Sequence, residues 1–289
     1  MANETTSSTI SELYTEIIAE AMFVAGEQSL MRGLVKNYAI TGQGKSVEVP
    51  IYEVVSAAAV SEATDLSNTA VNPTSVTITA SEVGIMTTLT DLARNSSSRN
   101  VAADIGRLFG EAIAKKIDVD LIALFDGFST AEGGGTVTLT ATNIFKAVAI
   151  LRRNAVPMTD LACVLHPNVA YDLKSSLTNT WGVGAGAAIQ ASFAGDIANE
   201  AMKNGFIGRL AGCAIYESSN ISNTGTTGDY KCAVFHKEAM GLAMMQDLKI
   251  ETQRDASLRA DEIVATAVYG VSELHDSYGV ELENDSTLA

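Results

Sequence analysis

The residues best placed to do chemistry in this 289-residue chain are two glycine-rich stretches, Ala39 to Ser46 (AITGQGKS) and Trp181 to Ala188 (WGVGAGAA), with three histidines and three cysteines. The first stretch fits a permissive phosphate-loop pattern in which Ala39 replaces the leading glycine. A phosphate loop works between a strand and a helix N-terminus, where backbone N–H groups and the helix dipole face the phosphates. Here the residues after Lys45 alternate like a strand and include Pro50, so the stretch reads as a glycine turn entering an edge strand. The run LIALFD, ending at Asp126, imitates a magnesium-holding strand end but closes a helical pattern. WGVGAGAA lacks both the G-x-G-x-x-G order and a preceding apolar strand, and reads as a glycine loop.

His166, His236 and His275 stand apart, without the spacing that puts two imidazoles on one helix face, and the chain has no G-x-S-x-G elbow. Cys163, Cys213 and Cys232 form no CxxC pair, and their apolar surroundings make them small buried hydrophobes. Met240, Met244 and Met245 fill uneven core space. Acids number 34 and are too dispersed to define a site. The expectation is a protein that is not an enzyme and has no catalytic residue, cofactor or metal.

The totals point the same way. Hydrophobic residues make up 47% of the chain but aromatics only 6%, so burial rests on Ala, Val, Ile, Leu and Met, which favour flat packed surfaces over deep pockets. A net charge of −15 opposes a groove that would neutralise phosphates, so sequence-specific nucleic-acid binding is not expected. The polar, acidic N-terminus lacks the basic and apolar regions of a secretory signal, and no run of about 18 apolar residues occurs. A protein made and used in the cytoplasm, away from membranes, is expected.

The positioning elements follow from periodicity. After a polar tail, Thr9 and Glu12 fit a capping box, and Leu13, Ile17, Ala21 and Val24 recur at helical spacing. Val47, Val49 and Ile51 alternate with polar neighbours as a strand, and Val76, Ile78 and Ala80 form the return run. The phase then slips to Val83 and Ile85, which predicts a bulge beside Gly84. Val101 to Phe125 reads as a long helix whose apolar side rotates along its length. Gly133, Gly134 and Gly135 mark a hinge or loop tip. Beyond them, a helix capped by Thr142 and ending at Arg153, a buried strand (DLACVL), a helix opened by Pro167 and a strand (GRLAGCAIYESSNIS) alternate as an α/β unit. The final runs are strand-rich and lack a local hairpin partner for their whole length, which makes the middle unit an insertion.

The stretch Val54 to Gly84 reads as extended chain, yet holds no aromatic, Lys or Arg. Two such strands would project roughly 30 Å or more, and a two-stranded ribbon is marginal alone in water. Its support must come from elsewhere in the chain or from another chain.

This order of parts resembles the major capsid protein of tailed bacteriophages, the Hong Kong 97 type of coat fold. The resemblance spans nearly the whole chain and rests on the loop from Gly44 to Ser97, the helix AADIGRLFGEAIAKKIDVDLIALFDGF, the pair CVLHPNVAYDLKSSL and FIGRLAGCAIYESSNIS, and the closing FHKEAMGLAMMQDLKIETQRD. It implies an α+β capsid fold with an N-terminal arm and helix (1–40), an extended β-loop (41–98), a peripheral domain with the spine helix (99–135 and 236–289) and an inserted axial domain (136–235). It also implies a homo-oligomer of hexamers and pentamers, assembled in the host cytoplasm into a virion capsid. Such a shell encloses double-stranded DNA without reading its sequence and uses a portal.

On that resemblance the ribbon lies across a neighbouring copy, with Ile51, Val76 and Ile78 in its apolar row. Glu48, Glu53, Glu62, Asp65 and Glu82 then face Arg152, Arg153, Arg254 or Arg259 of neighbours. Some members cross-link a loop lysine to an asparagine of another subunit; no lysine lies between Lys45 and Lys115, so that bond is not expected from the loop tip. The arm begins almost at Met1, so a separate scaffolding protein is expected. The alternatives are an encapsulin-like cellular shell, a β-rich surface adhesin, and an NTP-using enzyme that depends on Lys45.

Overall fold

The structure is a computed structural model and describes residues 29–42, 44–52, 71–96, 101–179, 208–224 and 228–288, with scattered positions between 55 and 70. The helical pattern from Thr9 to Val24, Glu53 and the glycine cluster from Trp181 to Ala188 lie outside the described residues.

Two long strands form the axis of the fold. β10 (Met240–Asp255) and β11 (Ala260–Glu273) pair antiparallel, with register shifts only around Gln246. They are therefore each other's hairpin partner, contrary to the sequence expectation. The turn between them contains no glycine. Asp255 instead accepts the N–H groups of Ser257 at 2.8 Å and Leu258 at 3.2 Å, and Arg259 takes the positive φ of 53° that reverses the chain.

β1 (Lys36–Ala39) joins β10 in parallel and β4 (Ser81–Thr90) joins β11 antiparallel, giving the order β1-β10-β11-β4. Successive side chains of a strand alternate between faces, and Ile263, Ala265, Ala267 and Tyr269 of β11 are buried. They pack toward α3 (Val101–Ile122), where Phe109, Ile113, Ile117 and Leu121 are buried and the Tyr269 hydroxyl donates to Asp120 at 2.7 Å. Spacing by four residues advances about 40° around a helix at each step, so the covered face rotates along α3, as its sequence implied. A 3-10 turn, Ala123–Gly127, ends the helix and sets Phe125 against Phe235, ring centroids 5.5 Å apart.

The short helix α1 (Leu30–Leu34) is tied to the middle of α3 by a single carboxylate. Asp118, 2% exposed, accepts the Ser29 hydroxyl at 2.9 Å and the N–H groups of Leu30 at 3.2 Å and Met31 at 3.1 Å. It satisfies donors that the first turn of a helix leaves unpaired. Burial pushes this carboxyl above its ordinary value, against the three hydrogen bonds that favour its charged form.

A second sheet has the order β5-β12-β9-β6-β8-β7, formed by β5 (Ala131–Thr138), β12 (Gly279–Asp285), β9 (Asp229–His236), β6 (Leu161–Leu165), β8 (Cys213–Glu217) and β7 (Arg209–Leu210). Helices α4 (Ala141–Arg153) and α5 (Pro167–Asn179) belong to this unit. Thr140, not Thr142, begins α4: its hydroxyl donates to Asn143 Oδ1 at 2.6 Å and its N–H to the same oxygen at 3.3 Å. Gly133 to Gly135 form part of strand β5, not a loop tip. Gly133 has φ 107°, and a Cβ there would lie 2.2 Å from the Glu283 carbonyl oxygen, so only glycine lets β5 approach β12 so closely. β12, grouped by sequence with the spine helix, hydrogen-bonds into this second sheet between β5 and β9.

Three chain crossings connect the two sheets: residues 128–130, 237–239 and 274–278. Leu274 and His275 donate to the Ala239 carbonyl at 2.8 and 3.2 Å, while Asp276 accepts the Ser129 N–H at 2.7 Å and also its hydroxyl. Glu273 adjoins Asp276, and its carboxyl is pushed up to about 7 by burial and by that neighbouring carboxylate.

At the ribbon, β2 (Ser46–Ile51) pairs antiparallel with β3 (Thr74–Thr79). The sequence phase slip marks the change of sheet at Ala80, where β3 ends and β4 begins; β4 runs past Gly84 in unbroken register with β11, without a bulge.

Two outcomes follow. A Cβ on Gly270 would sit 2.3 Å from the Thr79 carbonyl oxygen, so Gly270→Val forces the ribbon root off the sheet at a cost of about 1–3 kcal/mol. Thermal melting should fall and trypsin should cut faster after Lys45, whose carbonyl accepts the Ala80 N–H at 2.7 Å; unchanged melting and cleavage would contradict the contact. Separately, folded Glu273 keeps its proton up to about 7, whereas the unfolded carboxyl loses it near 4.5. Its stabilising share is thus complete below 4.5 and is lost as pH rises through about 7. The melting-temperature difference between the parent and Glu273→Gln should shift against the parent across that window, and a pH-independent difference would refute the assignment.

Candidate assembly surfaces

The ladder of the ribbon pairs Val47 with Ile78, Val49 with Val76 and Ile51 with Thr74, so these six side chains share one face. At the root this face is covered by its own chain: Val49 and Ile78 are buried with Ala243 and Leu274, and Tyr38, Ile40, Val47 and Val76 pack around them. Ile78, fully buried here, is a support of the ribbon and not a contact for a neighbour. Val76 and Ile51 are half-buried. Farther out the cover ends. Tyr52 is 65% exposed, and Val55, Val60 and Val71 are about half exposed.

Glu48, Glu62, Asp65 and Glu82 are exposed and have no cation in ion-pair range among the described residues. Glu82 lies on β4, opposite Val268, outside the ribbon ladder. The arginines divide into two kinds. Arg254 is engaged in its own chain, with its two terminal nitrogens 2.8 and 2.6 Å from the Asp91 carboxylate and one 3.1 Å from Asp261. That fork fastens the β10–β11 hairpin to the start of α2 (Asp91–Ser96), holds the guanidinium charged, and removes Arg254 from the expected intermolecular set. Arg152 and Arg153, exposed in the last turn of α4, and Arg259, at the hairpin turn, have no carboxylate partner among the described residues. Arg259 contributes its backbone, whose carbonyl accepts the Asp91 N–H at 3.0 Å.

Groups that could have formed a reactive centre are occupied otherwise. The three cysteines are buried; burial pushes Cys232 up to about 12, and the Cys163 thiol is raised by its hydrogen bond to Cys213 and by burial, which keeps both protonated. His166 stacks on Tyr230 with centroids 3.9 Å apart, and His275 stacks on Tyr278 at 4.7 Å. No cluster of His, Cys, Asp or Glu among the described residues could hold a metal ion. Strand β2 follows Lys45 directly, so the glycine turn leads into a strand and not into a helix N-terminus. No helix among the described residues is long and apolar enough to cross a membrane.

Sequence reasoning missed Asp118, Gly270 and the Ser129–Asp276 link. Only Asp118 carried a signal, as an acid set directly beside Ile117 on the apolar side of a long helix.

A family profile described as "Phage capsid protein" matches residues 50–280. Among solved structures the chain is similar to one from Mycobacterium phage Che8, with 22% identity, a TM-score of 0.65, and coverage of 83% of this chain and 85% of that one. It is similar to the capsid of Cyanophage P-SCSP1u (20% identity, TM-score 0.66, 90% and 89% covered). A third similar structure is the mature capsid of bacteriophage PhiM1 (16% identity, TM-score 0.67, 89% and 87% covered). No curated protein matches. At these identities the structures establish a shared fold, and the profile, which spans most of the sequence, establishes descent: this chain belongs to the phage capsid protein family.

Proposed function

We infer that this chain is the major capsid protein of a tailed phage, a structural protein that self-assembles into the icosahedral head shell. The observation that carries the reading is a capsid-family match joined to a ribbon whose outer apolar residues, Tyr52, Val55, Val60 and Val71, are exposed among the described residues. A second copy of the chain supplies such cover at every position of a shell.

The finer reading has hexamers and pentamers of one chain, a virion capsid assembled in the host cytoplasm, and a separate scaffolding protein and portal as partners. The shell encloses double-stranded DNA without sequence-specific contacts, consistent with a net charge of −15, and has no catalytic role. Its parts are an arm (1–40), an extended loop (41–98), a peripheral domain (99–135 and 236–289) that lends β12 to the other sheet, and an axial domain (136–235). The acids Glu48, Glu62 and Asp65 of one copy face Arg152, Arg153 or Arg259 of the next. Each exposed pair contributes roughly 0–1 kcal/mol, so their effect lies in setting register across many interfaces.

Electron microscopy of purified protein should reveal closed shells, and DNA with a portal inside them separates a phage head from a cellular compartment loaded with protein. The double variant Glu62→Lys, Asp65→Lys should lower shell yield. In hydrogen exchange, amides between 55 and 71 should be protected in shells and open in single molecules. Persistent monomers, or equal protection in both states, would overturn the reading.

A further inference from the structure

The ladder of the second sheet sets two acids side by side. Asp229 opens β9, Asp285 closes β12, and the two are direct antiparallel partners. Partners in such a ladder hold their Cβ atoms about 4.5–5.5 Å apart on one face of the sheet, where like charges repel. Neither side-chain carboxylate has a hydrogen-bond or ion-pair partner among the described residues. Lys231, two residues along the same face of β9, is already held by Asp126 and Glu281.

Burial sharpens the conflict. Asp229 is 6% exposed, and its Oδ1 is buried without a donor. A carboxylate almost never lies so deep unless paired, because something must replace the water stripped from it. Its surroundings are the glycine stretch of β5. Asn284 pairs with Gly134, but the next residue, Asp285, pairs with Thr138, so Gly135, Thr136 and Val137 bulge out of the ladder without partners in it. The Asp229 carboxylate lies against that bulge, since a Cβ on Gly135 would sit 3.1 and 3.2 Å from its two oxygens.

A second orphan meets the same backbone. Asn284 is fully buried and donates Nδ2 to the Val137 carbonyl at 3.0 Å, while its Oδ1 has no donor. Two buried acceptors, one of them an acid, thus abut three residues of backbone, and no donor serves either. The groups gathered here offer oxygen alone, without sulfur or imidazole, which suits a hard cation. Mg²⁺ demands a near-ideal octahedron and parts reluctantly with its water. Ca²⁺ accepts about six to eight oxygens in a looser shell at about 2.3–2.6 Å, backbone carbonyls and water among them, so two carboxylates beside an unpaired stretch of backbone meet its needs without a third acidic ligand.

We propose that the carboxylates of Asp229 and Asp285 bind one calcium ion per chain at the glycine bulge of β5, with backbone carbonyls and water completing its shell. The ion neutralises the paired acids and pins β5 and β9 to β12, the strand between them. It does so in the single chain, independently of shell assembly.

The test uses the full-length chain, treated with EDTA, dialysed free of it and titrated with calcium chloride in a calorimeter, with thermal melting read in parallel. One site per chain is expected, with a melting temperature that climbs as calcium is added. Asp229→Asn and Asp285→Asn should each weaken binding by about tenfold or more, while Glu262→Gln, on β11, leaves it unchanged. In EDTA, Asp229→Asn should melt at least as high as the parent, because the repelling pair is gone, so its loss of binding is not a loss of fold. Absence of calcium binding, an equal response to magnesium, a calcium response preserved in Asp229→Asn as for ions held loosely by an acidic surface, or a lower melting temperature of that variant in EDTA would each overturn the proposal.

Discussion

A two-stranded ribbon with one apolar face must rest that face on something, and the whole architecture is arranged around where that rest is available. The sheet offers it only over the root, where Gly270 lets the Thr79 carbonyl lie against β11 and where Ala243 and Leu274 receive Val49 and Ile78. The contact is close because the residues making it are small. A larger side chain at 270 would hold the ribbon away and expose Ile78, so the scarcity of bulk in the ribbon and the glycine beneath it answer each other. Outside the root, Tyr52, Val55, Val60 and Val71 are exposed and find no such surface among the described residues.

The strand that receives the ribbon also carries the other long-range contacts. β11 holds β4 along one edge and β10 along the other, buries Ile263 to Tyr269 toward α3, and ends at Glu273 in the junction between sheets. Force applied to the ribbon is therefore delivered to a strand whose far end meets the crossing at Ser129 and Asp276. Packed interiors transmit such displacement because they lack free volume. The junction is also where the two sheets share chain, with β12 returning across it into the second ladder. The boundary between the two sheets is thus crossed more than once by the chain and is not a clean cut in the sequence.

What could be read from the sequence was whatever depends on local pattern. The alternation Val47, Val49, Ile51, the long rotating helix, the buried strand Leu161–Leu165 and the helix opened by Pro167 all follow from period and turn chemistry. The misses share a cause. The β10–β11 turn is closed by the Asp255 carboxylate and a left-handed Arg259, with no glycine to mark it. The glycines at 133–135 look like a loop, but they serve a close approach between strands that only the fold reveals. The phase slip near Gly84 is real in the pattern, and its cause lies four residues earlier, where the chain changes sheet. Among the assembly residues, exposure of the ribbon acids was legible, because nothing nearby in sequence could neutralise them. The capture of Arg254 by Asp91 was not, because the two are 163 positions apart.

The fate of the cations limits how the copies can recognise one another. Most described basic residues already have acids in their own chain: Arg32 with Asp247, Lys36 with Glu238, Arg107 with Glu111, Lys116 with Asp120, Lys146 with Glu132, Lys174 with Glu217, Lys231 with Asp126 and Glu281, Lys249 with Glu251, and Arg254 with Asp91 and Asp261. With a net charge of −15, a pairing of neighbours by charge alone would leave many acids facing acids. Attraction between copies is then left to apolar burial, at roughly 25 cal/mol per Å². The same imbalance opposes binding to the phosphates of a nucleic-acid duplex.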